Sequence, residues 1–341
     1  MSEIITHAEL RRLMDDWIAR GGEVIGPAAV KPDLVQYARL ESAGLMLSGY
    51  IHPANSIKEF FFPRSEILYR YKFTGKKIEL SDVVNDPVKP MLIMGARPCD
   101  ASMLPILDRV FNWDYKDNFY DKRRDAATVV TMACTEHDDA CFCTSVGCGP
   151  AAEQGSDALL IRLGEDAFEV RCLTGKGRAL FQGKTQPGER TAEIPPGPPL
   201  KFDADFVRKF TRDNFDNPIW GELTLRCAGC AACAYTCPTC HCFDIVDEGN
   251  AYGGARVKNW DCCQFSMFTQ HASGHNPRSA QGQRQRQRLS HKFAIYPDKF
   301  GEILCTGCGN CGRICPVGLG VLTVLEEISN ATPSLESVEP V

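Results

Sequence analysis

A chain of 341 residues with 44% apolar and 24% charged residues has the material for two packed domains, and is neither disordered nor fibrous. Its formal net charge of −5 argues against nucleic acid as a partner. No stretch approaches the roughly 20 apolar residues that span a bilayer.

The first element is a helix over HAELRRLMDDWIARG, where Leu10, Leu13, Met14 and Ile18 recur at helical spacing and Gly21-Gly22 stops the run. Its polar, amphipathic character offers no apolar segment before a small-residue cleavage site, so we read a cytoplasmic protein. Short β-like runs follow in EVIGPAAV, LMLSGYI, EFFFP and KKIEL. Met91 to Met94 reads as a buried strand turning at Gly95 and Pro98, and ASMLPILDRVF as a helix. ATVVTMAC is a second buried strand ending at a cysteine, and ALLIRLGEDAFEVRCLTG a hairpin with its turn at Gly164-Glu165-Asp166. QPGERTAEIPPGPPLKF, rich in Pro and Gly, is the best linker. The expected fold class is α+β: a mixed α/β domain over 1–200, then a helical dicluster ferredoxin domain over 201–341.

Eighteen cysteines are far more than such a chain needs, and without an export signal they point to metal ligation or redox chemistry rather than disulfides. Eight form two copies of C-x-x-C-x-x-C-x-x-x-C-P: Cys227, Cys230, Cys233 and Cys237, then Cys305, Cys308, Cys311 and Cys315. Three thiolates separated by two residues each wrap one face of a [4Fe-4S] cubane. The fourth, before Pro, points away on the opening turn of a helix and ligates the other cluster. One cluster is thus expected on Cys227, Cys230, Cys233 and Cys315, the other on Cys305, Cys308, Cys311 and Cys237. Zinc knuckles have no need of the third cysteine or of the C-P close. The runs lie far apart for a compact ferredoxin. The segments around them, CFDIVDEGN, CQFSMFTQHASG and RSAQGQRQRQRLSHKFAIY, read as helix-like.

RCAGCAACAYTCPTCHCFDI, RVKNWDCCQFSMFTQHASGHNPR, RQRQRLSHKF and LCTGCGNCGRICPVGL, with MGARPCDASMLPILDRVF and CFCTSVGCGP upstream, resemble the iron–sulfur β subunit of cytoplasmic sulfhydrogenases and the corresponding iron–sulfur subunit of anaerobic sulfite reductases. The likeness runs from about residue 50 to about 325. It implies a relay: a partner FAD- and NAD(P)H-binding flavoprotein splits hydrides into single electrons, which this subunit passes to a catalytic subunit. The chain lacks both ends of that path. No G-x-G-x-x-G follows a strand, and no nickel or sirohaem cysteine spacing is present.

Cys99, Cys134, Cys141 and Cys143 all fall within the resemblance. Cys99 and Cys134 each follow a buried apolar run and so emerge at one sheet edge, while Phe142 between the other two is suited to shield a group from water. We expect a third [4Fe-4S] cluster there, against the plainer reading of half-buried structural thiols. Cys148 and His137 are reserve ligands. Cys240, Cys242, Cys262 and Cys263 either bind another metal or pack on the ferredoxin clusters as weak S–H donors, the reading we prefer. Cys172 is a core residue.

Cations favour a reduced cluster. Arg284, Arg286 and Arg288 alternate with Gln and cannot share one helix face, so at least one is expected to meet a cluster or a partner. Arg97, Arg226 and Lys258 are further candidates. The leading function is an electron-relay subunit of a soluble oxidoreductase complex with no active site of its own, its catalytic partner a hydrogenase, a sulfite or sulfur reductase, or a heterodisulfide-reductase-like subunit. The alternative is a stand-alone iron–sulfur reductase with its own substrate site.

Overall fold

The computed structural model describes residues 2–335. Ten strands alternate with helices through the first 188 residues: β1 (Ser2–Thr6), β2 (Glu23–Lys31), β3 (Leu34–Leu40), β4 (Ser65–Thr74), β5 (Lys77–Asp82), β6 (Met91–Ala96), β7 (Ala127–Met132), β8 (Ala158–Leu163), β9 (Ala167–Cys172) and β10 (Gln186–Gly188). Two more, β11 (Phe243–Asn250) and β12 (Gly253–Trp260), lie between the cysteine runs.

The large sheet has the order β10-β1-β9-β8-β7-β6-β2-β3. Its centre, β2-β6-β7-β8, is parallel and its flanks are antiparallel. A parallel centre is buried on both faces, so its strands read as continuous apolar runs. Met91 and Ile93 pack under the Met103–Asn112 helix with Leu104, Leu107 and Phe111. Leu92 and Met94 pack on the other face with Leu10, Leu13 and Met14 of the His7–Ala19 helix. That helix begins with a capping box in which Thr6 and Glu9 satisfy each other's backbone N–H groups.

The smaller sheet, β11-β12-β4-β5, is antiparallel and joins strands far apart in sequence. It corrects one expectation, because CFDIVDEGN is strand and not helix. Its backbone pairs with β12 along its whole length, with Val246 and Asp247 opposite Val257 and Arg256. EFFFP is likewise a short helix, Lys58–Phe61, because its aromatic run is buried on all sides and carries no alternation. LMLSGYI is a 3₁₀ turn and irregular chain. The mixed α and β architecture with a cysteine-rich C-terminal part is as expected. The presumed linker is packed down on the cysteine loops: Thr144 Oγ1 donates to Pro198 O at 2.7 Å.

The C-terminal core gathers Phe202, Val207, Phe210, Trp220, Leu289, Phe293, Leu319, Val324 and Leu325 around the cysteine runs. One long helix crosses it, α-helical over Gln281–Ser290, π-helical over His291–Ile295 and α-helical again over Tyr296–Phe300. No helix among the described residues is long and apolar enough to cross a membrane.

Candidate iron–sulfur sites

The two cysteine runs adopt the same backbone. Gly229 and Gly307 both have φ +66°, and the next but one positions, Ala231 and Gly309, have φ +63° and +78°. Ala231 is the only non-glycine residue with positive φ among those described, and left-handed backbone in an alanine persists only where its surroundings fix it. Each loop thus turns its three thiols inward and ends in one turn of helix, Ala232–Tyr235 or Asn310–Arg313. Cys237 does not open a helix. It follows one, and Pro238 leads through a turn toward β11.

Cys227, Cys230, Cys233 and Cys315 line one pocket, so the crossed set is brought together. Cys230 is exposed there. Cys305, Cys308 and Cys311 face Cys237 in a second, more buried group. Cys99, Cys134, Cys141 and Cys143 line a third pocket, together with His137 and Cys308. The parallel register Ala96↔Thr131 explains two of these thiols: Cys99 and Cys134 each lie three residues past paired positions, at the carboxyl edge of the sheet. Cys148 stands behind Cys143, its N–H donating to Cys143 O at 3.0 Å. Cys172 packs at the edge of the sheet core.

The groups run in series. Cys308 lines the third pocket with Cys99 on one side, and Cys311 shares the C-terminal core with Cys233 on the other. Backbone contact locks the second loop to the third pocket, with Phe142 N–H donating to Gly307 O at 3.0 Å. Phe142 itself is buried in the C-terminal core against Phe202.

One face of the long helix supplies donors to these thiols. Gln281 and Gln285 donate from Nε2 to Cys227 Sγ at 3.3 and 3.0 Å. Arg288 donates to Cys233 O at 3.3 Å, and Lys292 Nζ to Cys237 Sγ at 3.3 Å, Thr239 Oγ1 at 2.9 Å and Leu304 O at 2.8 Å. The steps of 4, 3 and 4 residues keep all four on one side. Backbone adds Leu319 N–H to Cys315 Sγ and Val321 N–H to Cys311 Sγ at 3.2 and 3.3 Å. Of the three alternating arginines, Arg288 is the one that meets the cysteines. Arg284 braces Gln281, and Arg286 stacks on Phe215.

Arg288 and Lys292 are 3% and 2% exposed. Among the described residues neither has a carboxylate partner. A buried cation is costly unless an anion balances it, and a cubane with its thiolates is such an anion. Burial opposes both charges, and the surrounding cysteine sulfurs, once they are thiolates, outweigh it and favour the cationic form of both groups. The third pocket has its own cations. Arg97 is buried, donates to Ile51 O and Tyr50 O and stacks on Tyr50. Arg313 bonds both Asp138 and Cys141 Sγ. Arg226 and Lys258 instead form ion pairs with Glu327 and with Glu66 and Asp117.

Burial pushes the Cys134, Cys233 and Cys305 thiols up to about 11 and Cys143 up to about 12. They are therefore neutral until a metal displaces the protons, which couples cluster assembly to proton release. Among the described residues no three His, Cys, Asp or Glu side chains close on a single-ion site; the corners of a cubane hold thiolates further apart than one ion does. Paired loops, converging thiols, N–H donors and buried cations all fit [4Fe-4S] clusters.

Residues 226–319 match the family model of the 4Fe-4S dicluster domain. This region is a 4Fe-4S dicluster domain. The β subunit of sulfhydrogenase 2 of Pyrococcus furiosus is 27% identical over 320 residues, covering 90% of this chain and 92% of that one. No solved structure matches. The resemblance to iron–sulfur β subunits is thereby borne out, and with the dicluster domain it gives the chain an electron-transfer role. Sequence reasoning missed Gln281, Gln285, Lys58 and Arg313, and took Lys292 only as part of the basic run after the arginines. For the first two and Lys292 the signal was present in their spacing with Arg288.

Proposed function

We propose that the chain relays single electrons through three [4Fe-4S] clusters in line, within a cytoplasmic complex, between an NAD(P)H-linked flavoprotein subunit and a catalytic subunit of the hydrogenase, sulfite or sulfur reductase, or heterodisulfide-reductase-like kind. The ligand sets are Cys227, Cys230, Cys233 and Cys315; Cys305, Cys308, Cys311 and Cys237; and Cys99, Cys134, Cys141 and Cys143. Residues 1–200 carry the third cluster and residues 201–341 the dicluster part. β11 and β12 reach back to pair with β4, so these are functional divisions of an interleaved fold.

The observation that carries this reading is the serial order of the thiol groups, with a buried middle group between one pocket that exposes Cys230 and another at the sheet edge. An electron entering at either end has the middle cluster as its next stop. The bound clusters supply the one-electron chemistry. The chain's residues hold them, exclude water and place cations against them.

The test is iron analysis of the anaerobically purified complex. Cys99→Ser and Cys143→Ser should each remove about four irons while leaving the dicluster signals intact. Retention of all iron in both variants refutes the third ligand set.

A further inference from the structure

Six cysteines remain outside the three groups, and the base of the β11–β12 hairpin collects four of them. Phe243 pairs with Trp260, and one step further Asp261 N–H donates to Cys242 O at 3.1 Å. Cys240 and Cys242, just before β11, are therefore set against Cys262 and Cys263, just after β12. Their thiols face one another. Cys263 is within hydrogen-bonding reach of both Cys242 and Cys262, and Cys240 is within reach of Cys237. Cys262 is fully buried and packs with Cys240 among Ala231, Ala234 and Phe265.

The surroundings repeat the features of the other sites. Gln264 N–H donates to Cys262 Sγ at 3.3 Å, and its Nε2 lies 3.6 Å from Cys263 Sγ. Lys58, 2% exposed, places its ammonium beside Cys240 and Cys242, donates to Cys240 O at 2.9 Å and sits 3.9 Å from the centre of the Trp260 ring. Among the described residues it has no carboxylate partner. A further buried lysine without a carboxylate partner, next to a further knot of thiols, calls for the same kind of anion that Arg288 and Lys292 face.

We propose that Cys240, Cys242, Cys262 and Cys263 hold a fourth iron–sulfur cluster, adjoining the middle cluster at the Cys237–Cys240 contact. It lies off the line of the other three. Gln264, which bonds Cys263, also bonds Gln281 at the first pocket, so the fourth site borders both dicluster groups. The cluster class follows from the donors: four soft thiolates, with N–H groups and an ammonium aimed at them.

The experiment is iron and zinc analysis with Mössbauer and EPR spectroscopy on the complex, unmodified and with Cys242→Ser, Cys263→Ser or Cys99→Ser. Loss of about four irons in Cys242→Ser and in Cys263→Ser, with the other cluster signals kept, is the expected result. Unchanged iron in both variants, loss of zinc in place of iron, or a Cys242–Cys263 disulfide found by mass spectrometry overturns the proposal. Should the serine variants fail to fold, Cys99→Ser decides. About 12 irons per chain with the third-cluster signal absent, or about 16 with it kept, support a fourth cluster, and about 8 without it, or about 12 with it, exclude one. The relay reading fails separately, by Cys99→Ser and Cys143→Ser losing no iron.

Discussion

Replacing Lys292 by methionine is expected to lower the reduction potential of the middle cluster by about 60–120 mV, while leaving the chain folded and its iron in place. The lysine lies in the π-helical turn, buried, with its ammonium on Cys237 Sγ, Thr239 Oγ1 and Leu304 O. Methionine keeps the length and apolar stem and removes the charge. A hydrogen bond to a charged group contributes about 1.5–3 kcal/mol. Reduction adds a negative charge to the cluster, so the cation stabilises the reduced form more than the oxidised one and raises the potential. For a one-electron couple about 59 mV corresponds to a factor of ten, or about 1.4 kcal/mol. Potentiometric titration followed by EPR measures the shift. Arg286→Met is the control, because that side chain stacks on Phe215 and bonds Phe215 O and Asp216, away from every thiol. Equal potentials in Lys292→Met and the parent protein would show that the ammonium serves packing and not the redox centre.

How much of this was legible beforehand depends on the range of the signal. The cysteine runs are local, and their spacing is set by the cubane they wrap, so the crossed sets could be written down from spacing alone. The third group was half legible. Buried runs ending at Cys99 and Cys134 are a sequence pattern, but only the in-register pairing of β6 and β7 turns the two into neighbours. The β11–β12 hairpin was missed because FDIVDEGN carries too few large apolar residues to show alternation; it is an edge strand, mostly exposed. Its misreading hid the fourth thiol group, since Cys240 and Cys242 meet Cys262 and Cys263 only when the hairpin closes. Lys58 was equally hidden. It lies in an aromatic run that looks like a strand, and its partners come from about 180 residues away. The long helix could have been read more fully. Attention to the alternating arginines set the period at two, whereas the functional face runs through Gln281, Gln285, Arg288 and Lys292 at helical period.

The largest structural effect is expected from Gly307→Ala, which should strip iron from two sites at once. Gly307 lies between Cys305 and Cys308 with φ +66°, a conformation alanine adopts only at a cost of order 1 kcal/mol. Strain is the smaller part. A Cβ at this position would stand 2.4 Å from Cys143 Cα, 2.5 Å from Cys143 N and 2.6 Å from Phe142 C. All three are backbone atoms, so no rotamer relieves the clash. Either the Cys305–Cys311 loop or the Cys141–Cys143 loop must move. Each carries thiols of a different group, and the Phe142 N–H to Gly307 O bond ties them together. The combined destabilisation is about 3–5 kcal/mol, the range of core overpacking joined to backbone strain. About eight irons should be lost, those of the middle and third clusters, with the Cys227 site retained longest. Gly312→Ala is the matched control in the same run: its Cβ meets nothing within 4 Å, and its φ lies outside the left-handed region. Iron content and thermal unfolding of the two variants side by side test the argument. A Gly307→Ala protein with full iron and an unchanged Tm would mean that the two loops are not in contact, and that the series from the sheet edge to the dicluster group is broken there.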